Sequence, residues 1–174
     1  SISAHASDTE LPTMQRPLAR NLGKVYVYWN DRVCPVQTMA IDIASKLYGS
    51  RTYKGMTPEQ ILAGWMFYYD DWIKDYNGSH IRNTDGKDKK EETERRALIQ
   101  WLGTGRAFRL FPYRTSAGRM EWLSLTERKP SQIPLEQWVF MNKAVTDIKN
   151  LLMHGQNRAA NMALTSLVNG QRKY

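Results

Sequence analysis

Apolar residues in this chain recur at spacings of three and four in several separate stretches, and its longest uninterrupted apolar runs, such as Trp65-Met66-Phe67-Tyr68-Tyr69, stop after a handful of residues. Helices patterned this way each carry one greasy face and must bury it against a neighbour. A membrane-spanning helix needs about twenty apolar residues in a row, so none lies within these residues. With 41% hydrophobic and 24% charged residues, the composition belongs to a chain that folds. Its 174 residues amount to about one domain with a substantial core. The expected fold is α+β, mainly α-helical with two short β-hairpins, in which residues 1–10 form a flexible tether and residues 11–174 a single domain.

The Pro-containing segment from Leu11 to Leu22 reads as a short helix stopping at Gly23. Val25 and Val27 alternate with Tyr26 and Tyr28, and the turn pair Asn30-Asp31 leads into Arg32-Val33-Cys34, which makes a hairpin. Val36, Ala40, Ile43, Ala44 and Leu47 then share a helical face up to Gly49. Thr57-Pro58-Glu59-Gln60 is the clearest helix start. A cap oxygen satisfies a free amide, proline lacks a donor where none is needed, and a carboxylate sits at the positive end of the dipole. One helix is expected from there through Trp72 to Asn77-Gly78.

Glu91 and Glu92 precede Arg95 and Arg96 by four residues, which suits a solvated helix from about Asp85 to Leu102, broken by Gly103 and Gly105. Ala107 to Tyr113 and Met120 to Leu125 read as a second hairpin around Ser116-Ala117-Gly118. From Pro134, Trp138, Met141, Val145, Ile148 and Leu152 form a narrow helical seam, and Asn157 to Asn169 continues beyond Gly155. An antiparallel pair and one helix bent at Gly155 both satisfy the pattern.

Cys34 is the only cysteine, so no internal disulfide and no cysteine-based metal cluster can form within one chain. It reads as a buried thiol. His5, His80 and His154 show no metal-ligand spacing; His80 and His154 enter only as candidates for cofactor contact. Met39, Met66, Met141, Met153 and Met162 have the chemistry of axial haem ligands, but methionine in apolar stripes chiefly fills space. Asp70-Asp71 resembles an acid pair, yet adjacent helical residues diverge, and helix-end charge is the simpler reading. No phosphate loop, nucleophile elbow, zinc-protease or haem-attachment motif occurs, and neither a catalytic nor a metal-binding residue is assigned.

The net charge of +8 biases encounters toward acidic partners: nucleic acid, anionic lipid headgroups or a propionate-bearing ligand. Arg106, Arg109, Arg114, Arg119, Arg128 and Lys129 interleave with Phe108, Phe111, Tyr113 and Trp122 around the second hairpin, a pattern open to single-stranded nucleic acid. Half-buried strands produce the same alternation without any ligand. A basic nucleic-acid-binding module and a small periplasmic enzyme using Asp70 or Asp71 are the alternative functions.

Lys24-Val-Tyr-Val-Tyr-Trp-Asn-Asp-Arg-Val-Cys-Pro-Val-Gln-Thr-Met-Ala, continuing through Lys46-Leu-Tyr-Gly and Tyr53-Lys-Gly-Met-Thr-Pro-Glu-Gln-Ile-Leu-Ala-Gly-Trp, resembles the extracytoplasmic domain of Bacteroidetes cytochrome c biogenesis proteins. These are membrane proteins of the system II pathway with ResB-like and CcsA-like parts. The likeness is densest from about Glu10 to Trp72 and returns at Phe111-Pro112, Trp122 and the final helices, which in such proteins lead back toward the membrane. It implies a scaffold or interaction domain at the periplasmic face of the inner membrane, within an assembly that exports haem and joins it to the Cys-x-x-Cys-His site of apocytochrome c. The implied partners are apocytochrome c and the membrane-embedded parts of the same assembly. Nucleic acid is not among them, and haem is handled by the parent protein with no cofactor in the isolated domain. That family's haem chemistry is associated with a tryptophan-rich WWD segment and membrane-proximal histidines, whereas the six tryptophans here are dispersed. The start at Ser1 and the close on Arg172-Lys173-Tyr174, which reads as an unfinished helix, lead to the expectation of a piece of a longer protein.

Overall fold

The first hairpin turns on two residues held at positive φ, Asn30 at 50° and Asp31 at 62°. This is the left-handed pair that matches the right-handed twist of the flanking strands. In the computed structural model, which describes residues 10–80, 86–124 and 126–173 except for the side chains of residues 80 and 86–88, that hairpin pairs β1 (Tyr26–Trp29) with β2 (Arg32–Pro35). The register sets Tyr26 against Pro35 and Tyr28 against Val33. Strand alternation buries Val27, Trp29 and Cys34, and leaves Tyr26 and Tyr28 half-buried on the other face.

Before the hairpin lies α1 (Arg16–Leu22), and after it α2 (Val36–Tyr48), which buries Val36, Met39, Ala40, Ile43, Ala44 and Leu47 and ends at left-handed Gly49. The first helix starts at Arg16, later than the Leu11 expected. The extended stretch ahead of it has backbone carbonyls taken by distant side chains: Pro12 accepts from Trp72 Nε1 at 2.7 Å and Met14 from Gln60 Nε2 at 3.0 Å. Those tertiary bonds compete with a local helix and prevail.

α3 (Pro58–Phe67) begins with the capping box its sequence announces: Gln60 N–H donates to Thr57 Oγ1 at 3.3 Å and Thr57 N–H to Gln60 Oε1 at 3.0 Å. The single long helix expected from here to Asn77-Gly78 is instead two. Tyr68 leaves helical geometry (φ −131°, ψ 42°), and α4 (Tyr69–His80) runs past Gly78. In a straight helix Gly64 and Trp72 would stand about 12 Å apart along the axis. The break folds α4 onto α3, so that a Cβ on Gly64 would lie 2.0 Å from the Trp72 ring. Only glycine permits that approach.

α5 (Gly86–Thr104) follows, then an extended link to β3 (Phe111–Arg114), paired with β4 (Met120–Leu123) in a second antiparallel hairpin. Strand β3 starts at Phe111 and not at the expected Ala107, because Arg109 and Leu110 join the two hairpins. Tyr28 N–H donates to the Arg109 carbonyl at 3.0 Å and Leu110 N–H to that of Leu123 at 3.1 Å. The expected strand end, Leu125, and residues 1–9 of the tether expected over 1–10 lie outside the described residues.

α6 (Leu135–Met153) and α7 (Asn157–Lys173) form an antiparallel pair around Gly155 (φ 67°), which settles the choice left open by the pattern. Gly155 N–H reaches Leu152 O and Gln156 N–H reaches Leu151 O, the two bonds of a Schellman stop. The molecule is mainly helical with two two-stranded antiparallel hairpins, and one contiguous buried cluster runs from Met14 through Trp65 and Met141 to Leu167.

The two hairpins meet at the end of α7. The buried Gln171 side chain accepts from Tyr26 N–H at 2.8 Å and donates to the carbonyls of Tyr26 at 2.7 Å and Leu110 at 2.8 Å. Gln171→Leu leaves all three backbone groups without their partner, and we expect a loss of about 3 kcal/mol in urea unfolding. The exposed Gln156→Leu should stay within about 0.5 kcal/mol.

Candidate binding site

Where α3 breaks into α4, the chain leaves a concavity of about 230 Å³. Trp65 and Met66 come from α3, Tyr69 from α4, Leu102 and Gly103 from the end of α5, Phe108 and Leu110 from the link, and Val145 from α6. Trp65 and Leu110 are fully buried and back the pocket; Met66, Tyr69 and Val145 are half-buried around it. Trp65 is held by its Nε1 donating to Tyr48 Oη at 3.1 Å and by the edge of Tyr69, with ring centroids 5.8 Å apart. A Cβ on Gly103 would come within 2.6 Å of the Tyr69 ring, so glycine at this position lets the ring lie against α5. The two threonines of the lining are engaged locally. Thr104 Oγ1 donates to Trp101 O at 2.7 Å, and the Thr126 and Ser124 hydroxyls are hydrogen-bonded to each other at 3.1 Å. What remains is an apolar surface with no converging charge, suited to an aromatic or aliphatic side chain. It is smaller than the ~300–1,000 Å³ of pockets that hold drug-sized ligands, so a haem does not fit inside it.

The residues singled out from sequence are dispersed. His154 caps α6, exposed, with Nδ1 2.7 Å from Asn150 O, which makes Nδ1 the protonated nitrogen. His80 ends α4. Asp70 and Asp71 lie exposed in the first turn of α4. Among the described residues no group of three or more His, Cys, Asp or Glu stands close enough to hold a metal ion. Cys34 is buried, and burial pushes its thiol up. Met39 and Met141 fill the core as expected, but Met153 and Met162 project into solvent and pack little. Of the six basic residues around the second hairpin, Arg109 is engaged in structure: its Nε donates to Trp122 O at 2.8 Å and its guanidinium lies 5.0 Å from the Tyr28 ring. Tyr113 is pushed up to about 12, first by its hydrogen bond to Glu121 and then by burial.

Sequence reading missed the pocket because its wall is assembled from five elements. Trp65 and Val145 were legible as core-facing, but nothing local announces that Tyr69, Gly103 and Phe108 converge. A second missed constellation sits behind it. Asp75 accepts from Tyr53 Oη and Lys54 Nζ, both at 2.7 Å, while Tyr53 stacks on Tyr48 with centroids 4.1 Å apart. Lys54 sits at φ 48°, in a region lysine seldom occupies, and its ion pair with Asp75 helps to hold the turn there. This cluster fastens the 49–57 loop to α4.

No protein-family model matches the chain, and no curated protein matches it.

Two carboxylates give the molecule a defined acid response. Burial pushes Asp42 up, but hydrogen bonds from Lys46, Trp29 and Asn30 outweigh it and hold the group below its ordinary 3.8. Burial likewise opposes, and bonds from Arg95 and Arg96 overcome it, to hold Glu92 below 4.5. A lowered carboxylate stabilises the fold fully above its unfolded value, and that stability is lost as pH falls through the folded value. Thermal midpoints should therefore drop on acidification below pH about 4. Asp42→Asn should flatten part of that slope, and an unchanged slope in this variant would remove Asp42 from the account.

Proposed function

We propose that this chain is an extracytoplasmic interaction domain of the cytochrome c biogenesis kind, standing at the periplasmic face of the inner membrane, and that its pocket takes an apolar side chain of unfolded apocytochrome c. The observation that carries the reading is that one phrase of the resemblance, from Tyr53 to Trp65, runs into the pocket: Trp65 lines it, and the capping box at Thr57 and Gln60 fixes the helix that brings it there. Enclosure by Met66, Tyr69, Phe108 and Val145 favours a ring or branched aliphatic group over a polar one.

Energetics agree with a transient hold. Burying one such side chain is worth about 1.5–3 kcal/mol, whereas millimolar binding already needs about 4 kcal/mol. One pocket therefore retains a client only when the two are held close, as they are within a membrane assembly that raises their effective concentration. Weak capture and ready release suit a chain that must still receive haem. The client's Cys-x-x-Cys-His site stays outside, because the pocket offers no thiol, imidazole or charge to engage it.

Titrating the domain with an apocytochrome c peptide that carries a phenylalanine or leucine near its Cys-x-x-Cys-His site, followed by NMR, tests the reading. Shifts should concentrate at Met66, Tyr69 and Val145. Replacing the peptide's apolar residue by serine, or filling the pocket with Val145→Trp, should weaken binding about tenfold or more. Equal affinity for the serine peptide would overturn the proposal. Adding haemin and recording the Soret band separates haem ligation from peptide binding.

A further inference from the structure

Where α6 begins beside the last turns of α7, the outer face exposes apolar side chains that the core does not use. Leu135 is 69% exposed, Val139 53% and Phe140 42%, all within the first turn and a half of α6. Leu135 and Val139 stand one above the other at a spacing of four, and Phe140 flanks them toward α7. The ring of Phe140 rests on Gly170, where a Cβ would come within 3.0 Å. The last turn of α7 carries exposed Arg172 at this end, its guanidinium 6.0 Å from the Tyr26 ring, and the segment leading into α6 carries exposed Arg128 and Lys129. Glu127 and Glu136 are the acids on the same stretches.

We propose that this tip, with Leu135, Val139 and Phe140 set among Arg128, Lys129 and Arg172, rests on an anionic lipid surface. Three features favour that occupant. The shallow groove of about 370 Å³ beside Phe140 is formed with Glu136, Gln137, Asn169, Gly170 and Lys173. Leu135 and Val139 stand outside it, as side chains do that enter a flat, soft partner. Three side chains also offer far less area than the ~800 Å² per partner of a stable protein interface. And the chain as a whole is positive by 8 charges, so an anionic surface draws it in while the apolar side chains pass the headgroups. The proposal rests on these side chains alone and not on the pocket.

Flotation of the 174-residue chain with lipid vesicles tests it. The protein should rise with phosphatidylcholine vesicles containing about 30 mol % phosphatidylglycerol, less with phosphatidylcholine alone, and less again as salt screens the surface. The Leu135→Ser, Val139→Ser double variant should lower partitioning about tenfold. Arg128→Gln and Lys129→Gln should each lower it about fivefold, and only on the anionic vesicles. Both sets change exposed positions outside the pocket lining, so peptide binding should persist in them, and failure here leaves that reading standing. Absence of flotation with anionic vesicles, or flotation indifferent to the Leu135 and Val139 change, would overturn the proposal. So would retention of a single-stranded oligonucleotide, equally by wild type and double variant, without vesicle binding.

Discussion

One side-chain amide joins the two sheets. A two-stranded hairpin is marginal in water when left alone, and here each of the two must borrow stability from what it touches. Gln171 supplies the contact by behaving like a residue of a third strand. It donates to and accepts from Tyr26, and it donates to Leu110 across a gap that no backbone fills. Arg109 adds a second stitch through its carbonyl, which accepts from Tyr28, and its guanidinium, which donates to Trp122 and lies over the Tyr28 ring. Because α7 carries Gln171, the same bonds that align the hairpins also fix the helical pair. α6 is thereby brought to where Met141 and Ile148 enter the core.

On the opposite side, the deciding constraint is steric. The Trp72 ring packs beside Trp65 and Tyr53, and Gly64 gives it a surface that no side chain obstructs. Folding α4 back at Tyr68 satisfies the ring, with its Nε1 reaching Pro12. The same fold turns Tyr69 toward α5, where Gly103 admits it. The pocket follows from these two aromatic–glycine contacts. It is space left between elements whose angles were set by something else, and its apolar wall reflects the core from which it opens.

How far the sequence could be read follows from this. Local signals were legible where they act locally: the left-handed pair at Asn30-Asp31, the capping box from Thr57 to Gln60, Gly49 as a stop, and the interruption at Gly155. The three-and-four spacing marked Ala40, Ile43, Met141 and Ile148 as interior, and they are. What escaped depends on contacts distant in sequence. Nothing between Leu11 and Gln15 says that its carbonyls are wanted by Gln60 and Trp72, and no periodicity reveals that Trp72 must fold over Gly64. Gln171 looks like any polar residue near a helix end; its burial is decided by strands more than sixty residues away. Exposed Met153 and Met162 show the converse, apolar residues on a helical stripe for which the fold provides no partner.

α6 ties the two inferred contacts into one geometry. Val145 faces the pocket, whereas Leu135 and Val139 stand at the helix start, and at 1.5 Å per residue these positions are separated by roughly 9–15 Å along a single rigid rod. With the tip seated among headgroups, the pocket would be carried close above the lipid surface. It would open where an unfolded chain tethered to, or emerging from, that membrane is most concentrated. The weakness of a one-side-chain pocket is then no obstacle, because capture on a surface restricts the client to a thin layer and raises its local concentration without any further contact. The positive charge of the chain would serve the same arrangement, since it acts over about a Debye length, near 10 Å, while the apolar side chains act only at contact.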